Sequence, residues 1–210
     1  MVRGPFVTFE GVEGCGKSTQ LALLSRDLRS SGREVVTTRE PGGTALGERL
    51  RDLLLDPAFA PVPVAEVCIF EAARAQLVAQ VIRPALERGA VVLADRFADS
   101  STVNQGVARG LGVAAVAALN TFACGGLVPD RTIVIDLAVE TALARARSRS
   151  GTTAANRRFE DETLDFHRAV ASGFHELAVR EAARVRFVAG DGTIEAVAER
   201  VRAALVGVLP

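Results

Sequence analysis

Residues 11–18, Gly11-Val12-Glu13-Gly14-Cys15-Gly16-Lys17-Ser18, match the pattern G-x-x-x-x-G-K-S without deviation. An apolar run, Phe6–Phe9, precedes this pattern and a segment of helical character, Lys17–Ser30, follows it. Glycines let successive backbone N–H groups turn inward, and a helix N-terminus adds partial positive charge, so such a loop can cradle phosphates. A chance glycine-rich turn is the alternative, but the only lysine of the chain stands at the required position. The sequence therefore predicts a loop that binds the phosphates of a nucleotide.

Short β-branched runs alternate along the chain with longer segments of helical character. The runs are four to six residues long without polar–apolar alternation, which is typical of strands buried on both faces of a parallel sheet. The order βαβα predicts an α/β three-layer sandwich of the P-loop NTPase class, a five-stranded parallel sheet with helices on both faces, and we expect one domain over residues 1–210. The predicted strands are Phe6–Phe9, Val35–Thr38, Val91–Ala94, Thr132–Leu137 and Val185–Val188; the predicted helices are Lys17–Ser30, Ala45–Leu55, Val64–Arg88, Val113–Phe122, Val139–Arg149, Asp161–Arg184 and Ile194–Val208.

The composition argues against several other classes of protein. The formal net charge is zero, so no overall field favours nucleic acid or an anionic membrane. Cys15, Cys68 and Cys124 are far apart and lack C-x-x-C spacing, which argues against a disulfide framework or a zinc site and suits a reducing cytosol. The N-terminal segment MVRGPFVTFEG has too short an apolar run for a signal peptide, and no stretch of the chain approaches the ~20 apolar residues that span a bilayer. We therefore expect a cytoplasmic protein without nucleic-acid or membrane partners.

Three polar segments are candidates for a second site beside the phosphate loop: Thr38–Gly43, Phe70–Arg74 and Asp95–Ser101. The sequence contains no guanine-reading N-K-x-D motif, and motor or transport ATPases are usually longer, so small kinases remain. Two of the segments follow predicted strands, where α/β folds bind ligands, and the third places Phe70 and Arg74 on one helix face. A kinase that holds an acceptor beside the γ-phosphate of a nucleotide would use such segments.

Segment 148–158, SRSGTTAANRR, is small, polar and arginine-rich, and it interrupts two predicted helices. It fits either a solvated surface loop or a mobile lid, at about residues 146–160, that brings arginines over phosphates. The arginines of this region are Arg145, Arg147, Arg149, Arg157 and Arg158.

Five motifs, in the order EGxEGxGKST, TREPGG, FxAAR, DRFxDSS and QGxARG, resemble those of the thymidylate kinase family. The resemblance runs from about Phe6 to about Val188. It implies an enzyme that uses ATP and Mg²⁺ to phosphorylate dTMP, with dTDP and ADP as products. It also implies a homodimer formed through helices beside the acceptor site.

On the donor side, Lys17 would contact the β- and γ-phosphates, and Ser18 would ligate Mg²⁺ with Asp95 steering the ion. The loop 190–193, with Asp191, resembles the loop beside adenine in this family, although a plain strand-to-helix turn explains it equally well. The residues implied to bind ATP are Gly11, Val12, Glu13, Gly14, Cys15, Gly16, Lys17, Ser18, Thr19 and Asp191.

On the acceptor side, the resemblance implies that Phe70 stacks on the pyrimidine and that Arg74 donates to a carbonyl oxygen of thymine. Such a donor disfavours cytosine because a buried polar group would be left unpaired. Arg96 would bind the acceptor monophosphate. A core position for Phe70 and a surface Asp95–Arg96 ion pair are the alternatives. The further implied contacts are Glu13 at the sugar 3′-hydroxyl, Arg39 and Arg51 near phosphate, Pro41 with a cis bond, and Ser100, Ser101, Asn104 and Gln105 around the base and sugar.

The variable positions of the phosphate loop, residues 12–15, contain no arginine. One well-placed arginine can contribute ~10³–10⁵ to the rate of phosphoryl transfer, and in this family it comes from the loop or from the lid. The resemblance therefore assigns it to the lid, with Arg149 and Arg158 as candidates and Glu160 orienting Arg158. Lys17, Asp95 and Arg96 complete the predicted catalytic set.

Asn104 stands where the family usually has a tyrosine that crowds C2′ of the sugar. Asparagine is smaller and can bind a hydroxyl group, so a ribo or modified pyrimidine 5′-monophosphate is an alternative acceptor. A deoxynucleoside kinase is a second alternative, against which Arg39, Arg51 and Arg96 favour an acceptor that is already charged. A catalytically silent nucleotide-binding module is a third, and the retained Lys17 argues against it.

Overall fold

The computed structural model of the chain describes residues 3–56, 58–148, 158–159 and 161–209. Its strands are β1 (Phe6–Glu10), β2 (Val35–Arg39), β3 (Val91–Asp95), β4 (Arg131–Asp136) and β5 (Val185–Ala189). They form one parallel sheet in the order β2-β3-β1-β4-β5. Every strand lies within one residue of its predicted bounds. The predicted five-stranded parallel sheet is confirmed, with β1 at its centre.

Helices cover both faces of this sheet, as the α/β sandwich requires. In the described part of the chain, none of them is long and apolar enough to cross a membrane. The helices are α1 (Lys17–Ser30), α2 (Ala45–Leu55), α3 (Pro63–Leu77), α4 (Arg83–Glu87), α5 (Ala98–Ser101), α6 (Val113–Cys124), α7 (Val139–Arg147), α8 (Leu164–Arg180) and α9 (Ile194–Ala204), with π-helical turns at Val78–Ile82 and Thr102–Ala108.

The core consists of two apolar layers, one on each face of the sheet. Along β1, Val7 and Phe9 belong to one layer and Phe6 belongs to the other, because successive side chains of a strand point to opposite faces. The first layer packs against α1, α8 and α9, and the second packs against residues 77–86. Burial on both faces explains why the strands are continuously apolar in sequence.

The predicted helix Val64–Arg88 is divided in the structure. It consists of α3, the π-helical turn Val78–Ile82 and α4. Pro84 lies in the first turn of α4. Proline lacks an N–H donor and its ring crowds the carbonyl group four residues earlier, so the helix widens before it rather than continuing as a regular α-helix.

The helical stretch 98–108 was not predicted. It contains Ser, Thr, Asn and Gly, which are weak helix formers. The structure stabilises it through tertiary contacts instead, since it packs against α6 and α8. The Asn120 side chain of α6 donates to Ala98 O at 3.0 Å and to Thr102 Oγ1 at 2.9 Å. The π-helical geometry of Thr102–Ala108 is visible in the hydrogen bond from Arg109 N to Asn104 O, five residues earlier.

The last two helices are shorter than predicted. Helix α8 begins after Thr163, whose hydroxyl caps it by accepting from Phe166 N, and it ends at Arg180 rather than at residue 184. Helix α9 ends at Ala204. Helix α7 is described to Arg147, and its predicted end at Arg149 lies outside the described residues.

A pair of valines tests the assignment of α9 to the core. Val201 in α9 is 1% exposed, whereas Val179 in α8 is 81% exposed. Val201→Ala should lower the free energy of unfolding by about 1.5–3 kcal/mol, because two buried methyl groups are lost and a cavity remains. Val179→Ala should change it by no more than about 0.5 kcal/mol. Urea unfolding measures both, and equal losses would contradict the assignment.

Candidate active site

A cleft lies over the carboxyl ends of β1, β2 and β3, the edge where parallel α/β sheets bind ligands. Most of the predicted site residues line it together. Gly11, Arg74, Arg158 and Asp191 are described but lie outside this lining. The predicted residues in the lining are Val12, Glu13, Gly14, Cys15, Gly16, Lys17, Ser18, Thr19, Arg39, Pro41, Arg51, Phe70, Asp95, Arg96, Ser100, Ser101, Asn104 and Gln105.

The phosphate loop is a tight turn that needs its glycines. Gly14 has a φ of +78°, and a Cβ atom there would lie 2.0 Å from Ala142 O. No side chain fits at this position. Lys17 Nζ donates to Gly11 O at 3.1 Å and to Val12 O at 2.9 Å, so the buried ammonium group is held against the loop's own backbone. The loop thus combines a tightly turned backbone with one positive charge that is held in place by that backbone.

Ser18 and Asp95 meet where α1 begins and β3 ends. Ser18 Oγ donates to Asp95 Oδ2 at 2.5 Å. A hydroxyl and a carboxylate are the oxygen ligands that Mg²⁺ prefers, and this ion usually takes only one or two protein ligands beside substrate phosphates. Among the described residues, no group of three or more His, Cys, Asp or Glu side chains could hold a metal alone. The pair fits a magnesium ion that is shared with a nucleotide.

Arg96 follows β3 directly and lies against acidic and hydroxyl groups. Its Nη2 donates to Glu13 Oε1 at 2.5 Å and its Nη1 donates to Ser100 Oγ at 3.0 Å, while Glu10 Oε2 is 3.9 Å from Nη1. Burial lowers the pKa of Arg96, but Glu13, Glu10 and Asp95 together raise it above its usual value. Arg96 is therefore held in the cleft lining by Glu13 and Ser100, unlike the alternative of a surface ion pair with Asp95.

Arg74 is 1% exposed and lies behind the cleft lining. Its five N–H groups donate to Glu40, Glu71, Asn120 and Ser101. Burial raises the pKa of Glu40 to about 7, although Arg74 opposes that rise. Ser101, which does line the cleft, accepts from Arg74 at 3.0 Å. Ser101 therefore links the buried Arg74 network to the cleft.

The side chains around the predicted base pocket are held by protein contacts. Phe70 projects from α3 into the cleft, and its ring centroid is 6.0 Å from that of Phe159. Asn104 Nδ2 donates to Ser100 O at 2.7 Å. Gln105 Nε2 donates to a carboxylate of α3 at 3.0 Å. The pocket therefore has aromatic groups and oriented amides in one lining.

That carboxylate is Glu66, which is buried and receives three side chains. Besides Gln105, it accepts from Arg109 Nε at 3.2 Å and from Arg158 Nη2 at 2.8 Å. Arg158 also donates to Leu54 O, and its guanidinium lies over the Phe159 ring. In this structure Arg158 is thus bound beside the predicted base pocket. The other predicted lid residues, Arg149 and Glu160, lie outside the described residues, whereas Arg145 lines the cleft.

Arg39, at the end of β2, and Arg51, in α2, also have protein partners. Arg39 Nη2 forms an ion pair of 2.8 Å with Glu48, and Arg51 Nη1 donates to Pro41 O at 3.0 Å. Burial lowers the pKa of Arg51. The Glu40–Pro41 peptide bond is cis, as the resemblance implied. This segment brings two guanidinium groups to the cleft.

Asp191 is outside the cleft lining, and its carboxylate forms an ion pair of 3.2 Å with Arg200. Its neighbours in the loop after β5, Gly190, Gly192 and Thr193, do line the cleft. The loop rather than the Asp191 side chain therefore forms this part of the cleft wall.

The comparison with known proteins agrees with this geometry. A model of the family described as thymidylate kinase matches residues 9–201. The thymidylate kinase of Geobacter sulfurreducens is 47% identical over 210 residues, 99% of each chain. That of Trichlorobacter lovleyi is 47% identical over 193 residues, 90% of each chain. This chain belongs to the thymidylate kinase family.

A solved structure of a thymidylate kinase also matches nearly the whole chain. The crystal structure of thymidylate kinase from Ehrlichia chaffeensis superimposes with a TM-score of 0.78 at 29% identity, over 97% of this chain and 99% of that one. The family predicted from the five motifs is confirmed, and with it an ATP-dependent phosphotransferase. The relatives give no support to the ribonucleotide or deoxynucleoside alternatives.

The sequence analysis missed several residues of this thymidylate kinase family member, among them Glu10, Glu66 and Phe159. Glu10 opens the EGxEG motif at the end of β1. Its position directly before the phosphate loop could have marked it as a site residue. Glu66 offered none, because its partners Gln105 and Arg158 are 39 and 92 residues away in the chain. Phe159 follows a predicted lid arginine, and only the structure places it beside Phe70.

The titration of Glu10 gives a testable dependence of stability on pH. Burial raises its pKa from 4.5 to about 7, against the lowering effect of Arg96, and Asp99 adds to the rise. Between these values the folded chain keeps the proton that the unfolded chain releases, so this group's contribution to the free energy of unfolding falls as pH rises and levels off above about 7.

Glu10→Gln removes this titration. The free energy of unfolding of the wild type minus that of the variant should therefore decline from about pH 4.5 to about pH 7, since only the wild type carries the raised pKa. Urea unfolding of both proteins across pH 4.5–8 measures the difference. A difference that is constant, or that grows with pH, would contradict the raised pKa.

Proposed function

We propose that this protein transfers the γ-phosphoryl group of ATP to the 5′-phosphate of dTMP, giving dTDP and ADP. The observation that carries the proposal is a single cleft whose lining contains the phosphate loop, Arg96 and Phe70. A donor phosphate cradle, a fixed cation and an aromatic wall are what a kinase needs to hold two nucleotides in one site. Membership of the thymidylate kinase family supports the same reaction.

We place ATP on the phosphate loop. The backbone of residues 11–19 would bind its phosphates, with Lys17 at the β- and γ-phosphates. The loop 190–193 would lie beside adenine. Mg²⁺ fits the Ser18–Asp95 pair, and when bound it would neutralise charge on the β- and γ-phosphate oxygens.

We place dTMP on the other side of the cleft. Phe70 would stack on thymine, a contact worth roughly 1–3 kcal/mol. Ser101 and Gln105 line the same pocket, and the bond from Arg74 to Ser101 supports a role for Arg74 in base recognition through this network. Arg96 would hold the 5′-phosphate. Further proposed contacts are Glu13, Arg39, Pro41, Arg51, Ser100 and Asn104.

Phosphoryl transfer depends on positioning and on positive charge rather than on covalent chemistry by the protein. Lys17 and Arg96 would supply two fixed cations, and the lid a third. Arg149 and Arg158 are the candidates from sequence. Since Arg158 is engaged by Glu66 while Arg145 lines the cleft, the contacts add Arg145 to these candidates.

The acceptor can be identified by ADP release. With ATP and Mg²⁺ we expect rapid ADP release with dTMP and at least about a hundredfold lower kcat/KM with thymidine or UMP, because thymidine lacks the phosphate for Arg96 and UMP adds a 2′-hydroxyl and lacks the 5-methyl group. Lys17→Met is the control and should lose the dTMP-dependent release. Faster turnover of thymidine than of dTMP would refute the proposal, and release that no acceptor stimulates would refute it as well.

We also propose that the protein is a homodimer that forms through α3 and α6. These helices pack against each other, and α3 carries Phe70. Their surface exposes Val64 (59%), Leu119 (38%) and Phe122 (88%). Exposed apolar groups on neighbouring helices are typical of subunit interfaces. The free thiols of Cys15, Cys68 and Cys124 suit the cytoplasm as the place where it acts.

Phe122→Glu tests the dimer. A buried, unpaired carboxylate at an interface is costly, so this variant should elute as a monomer of about half the wild-type mass in size-exclusion chromatography with light scattering. Val179→Glu is the matched control, since Val179 is 81% exposed on α8, away from the proposed interface. A wild-type protein that is monomeric at tens of micromolar, or a Phe122→Glu variant that stays dimeric, would contradict the interface.

A further inference from the structure

Glu10 is a fully buried carboxylate at the end of β1, directly before the phosphate loop. Its Oε1 accepts from Phe97 N at 2.8 Å and its Oε2 accepts from Ser100 Oγ at 2.6 Å. Both donors belong to the segment after β3 that also carries Arg96. One carboxylate therefore holds this segment at two points, on either side of residues 98 and 99.

The two hydrogen bonds that link Arg96 to Glu10 through the Ser100 hydroxyl have only one possible direction when Glu10 is ionised. A guanidinium group can only donate and a carboxylate can only accept. The Ser100 hydroxyl therefore donates its single proton to Glu10 and turns a lone pair to Arg96 Nη1, which is 3.0 Å from Ser100 Oγ. Glu10 thus sets the orientation of the hydroxyl that receives Arg96.

The backbone of Arg96 needs such support. Its φ is +72°, the left-handed region that a residue with a Cβ adopts only when its surroundings hold it there. Arg96 N donates to Phe9 O at 3.0 Å, and the next amide, Phe97 N, donates to Glu10. Glu10 therefore acts on both the backbone and the side chain of the Arg96 segment. On the other side of the guanidinium, Nη2 is held by Glu13.

We propose that Glu10 is a positioning residue for phosphoryl transfer, which acts through Ser100 and the Phe97 amide to aim Arg96 at the acceptor phosphate. This inference rests on the proposed role of Arg96 in binding dTMP. It assigns Ser100 to the orientation of Arg96, whereas the sequence predicted Ser100 at the edge of the base pocket. It also gives a function to the first residue of the EGxEG motif.

Asp99 provides a matched control in the same segment. It is buried like Glu10, and it accepts from Thr132 Oγ1 at 2.7 Å and from Arg184 Nη1 and Nη2 at 2.7 and 2.8 Å. These partners belong to β4 and to the turn before β5, whereas Arg96 is held by Glu13 and Ser100. Asp99→Asn should therefore disturb the fold of the segment without changing the aim of Arg96.

The test is a kinetic double-mutant cycle with Glu10→Gln and Ser100→Ala. The glutamine amide donates to Ser100 where the carboxylate accepted, so it competes with Arg96 for the same oxygen. Each single variant should raise the KM for dTMP or lower kcat/KM for dTMP by at least about tenfold, the effect of a lost charge-assisted hydrogen bond. The KM for ATP should stay within about twofold. The kcat/KM of the double variant for dTMP should be no more than about threefold below that of the poorer single variant, because both changes interrupt one chain of hydrogen bonds.

Three results would overturn the inference: an unchanged kcat/KM for dTMP in Ser100→Ala, additive losses in the double variant, or the same dTMP defect in Asp99→Asn. Ser100→Ala keeps the proposal testable if Glu10→Gln fails to fold, which thermal unfolding will reveal. Arg96→Ala separates this inference from the proposed function. If Arg96→Ala leaves the KM and kcat for dTMP unchanged, the proposed role of Arg96 is wrong; if it lowers kcat/KM while the Glu10 and Ser100 variants do not, only the positioning role is wrong.

Discussion

The parallel pairing of β1 with β3 is the constraint on which the active site depends. In this register Phe9 lies opposite Asp95, and the pairing continues with Arg96 N donating to Phe9 O. The two strands therefore end level with each other, one leading into the phosphate loop and the other into the Arg96 segment. Ser18 consequently comes within 2.5 Å of Asp95, although 77 residues separate them. A shift of this register by one residue would turn Phe9 from one core layer to the other, so the core and the site are specified together.

Buried carboxylates keep the arginines of this molecule in defined directions. Glu40 holds Arg74 at 2.7 Å and Glu66 holds Arg158 at 2.8 Å, both at sites where the carboxylate is almost fully buried. Such pairs contribute little net stability, because desolvation offsets most of their attraction, but removing one partner costs about 3–5 kcal/mol. Their effect is therefore on geometry, because each guanidinium group must keep one orientation to stay bound to its carboxylate.

Local patterns carried most of the information that could be obtained from the sequence. The strands were predictable because burial on both faces leaves a continuous apolar run, and the phosphate loop was predictable because its backbone needs glycine at positions such as Gly14. The helical stretch 98–108 was not, since tertiary bonds from Asn120 override weak propensities there. Glu66 was equally hidden, because its meaning depends on side chains far away in the chain. The placement of Arg158 beside the predicted base pocket depends on the same carboxylate.

The distribution of basic residues follows the same geometry. Arg74 and Arg96 each bridge acceptors that lie on separate elements, and the planar fork of a guanidinium can do so while a single ammonium nitrogen at the end of a flexible stem cannot hold the same directions. Lys17 differs from these arginines because both of its carbonyl acceptors belong to one tight loop. They lie 3.1 and 2.9 Å from Nζ. The single lysine of a chain that otherwise uses arginine for positive charge therefore lies where a compact, rotatable charge is required.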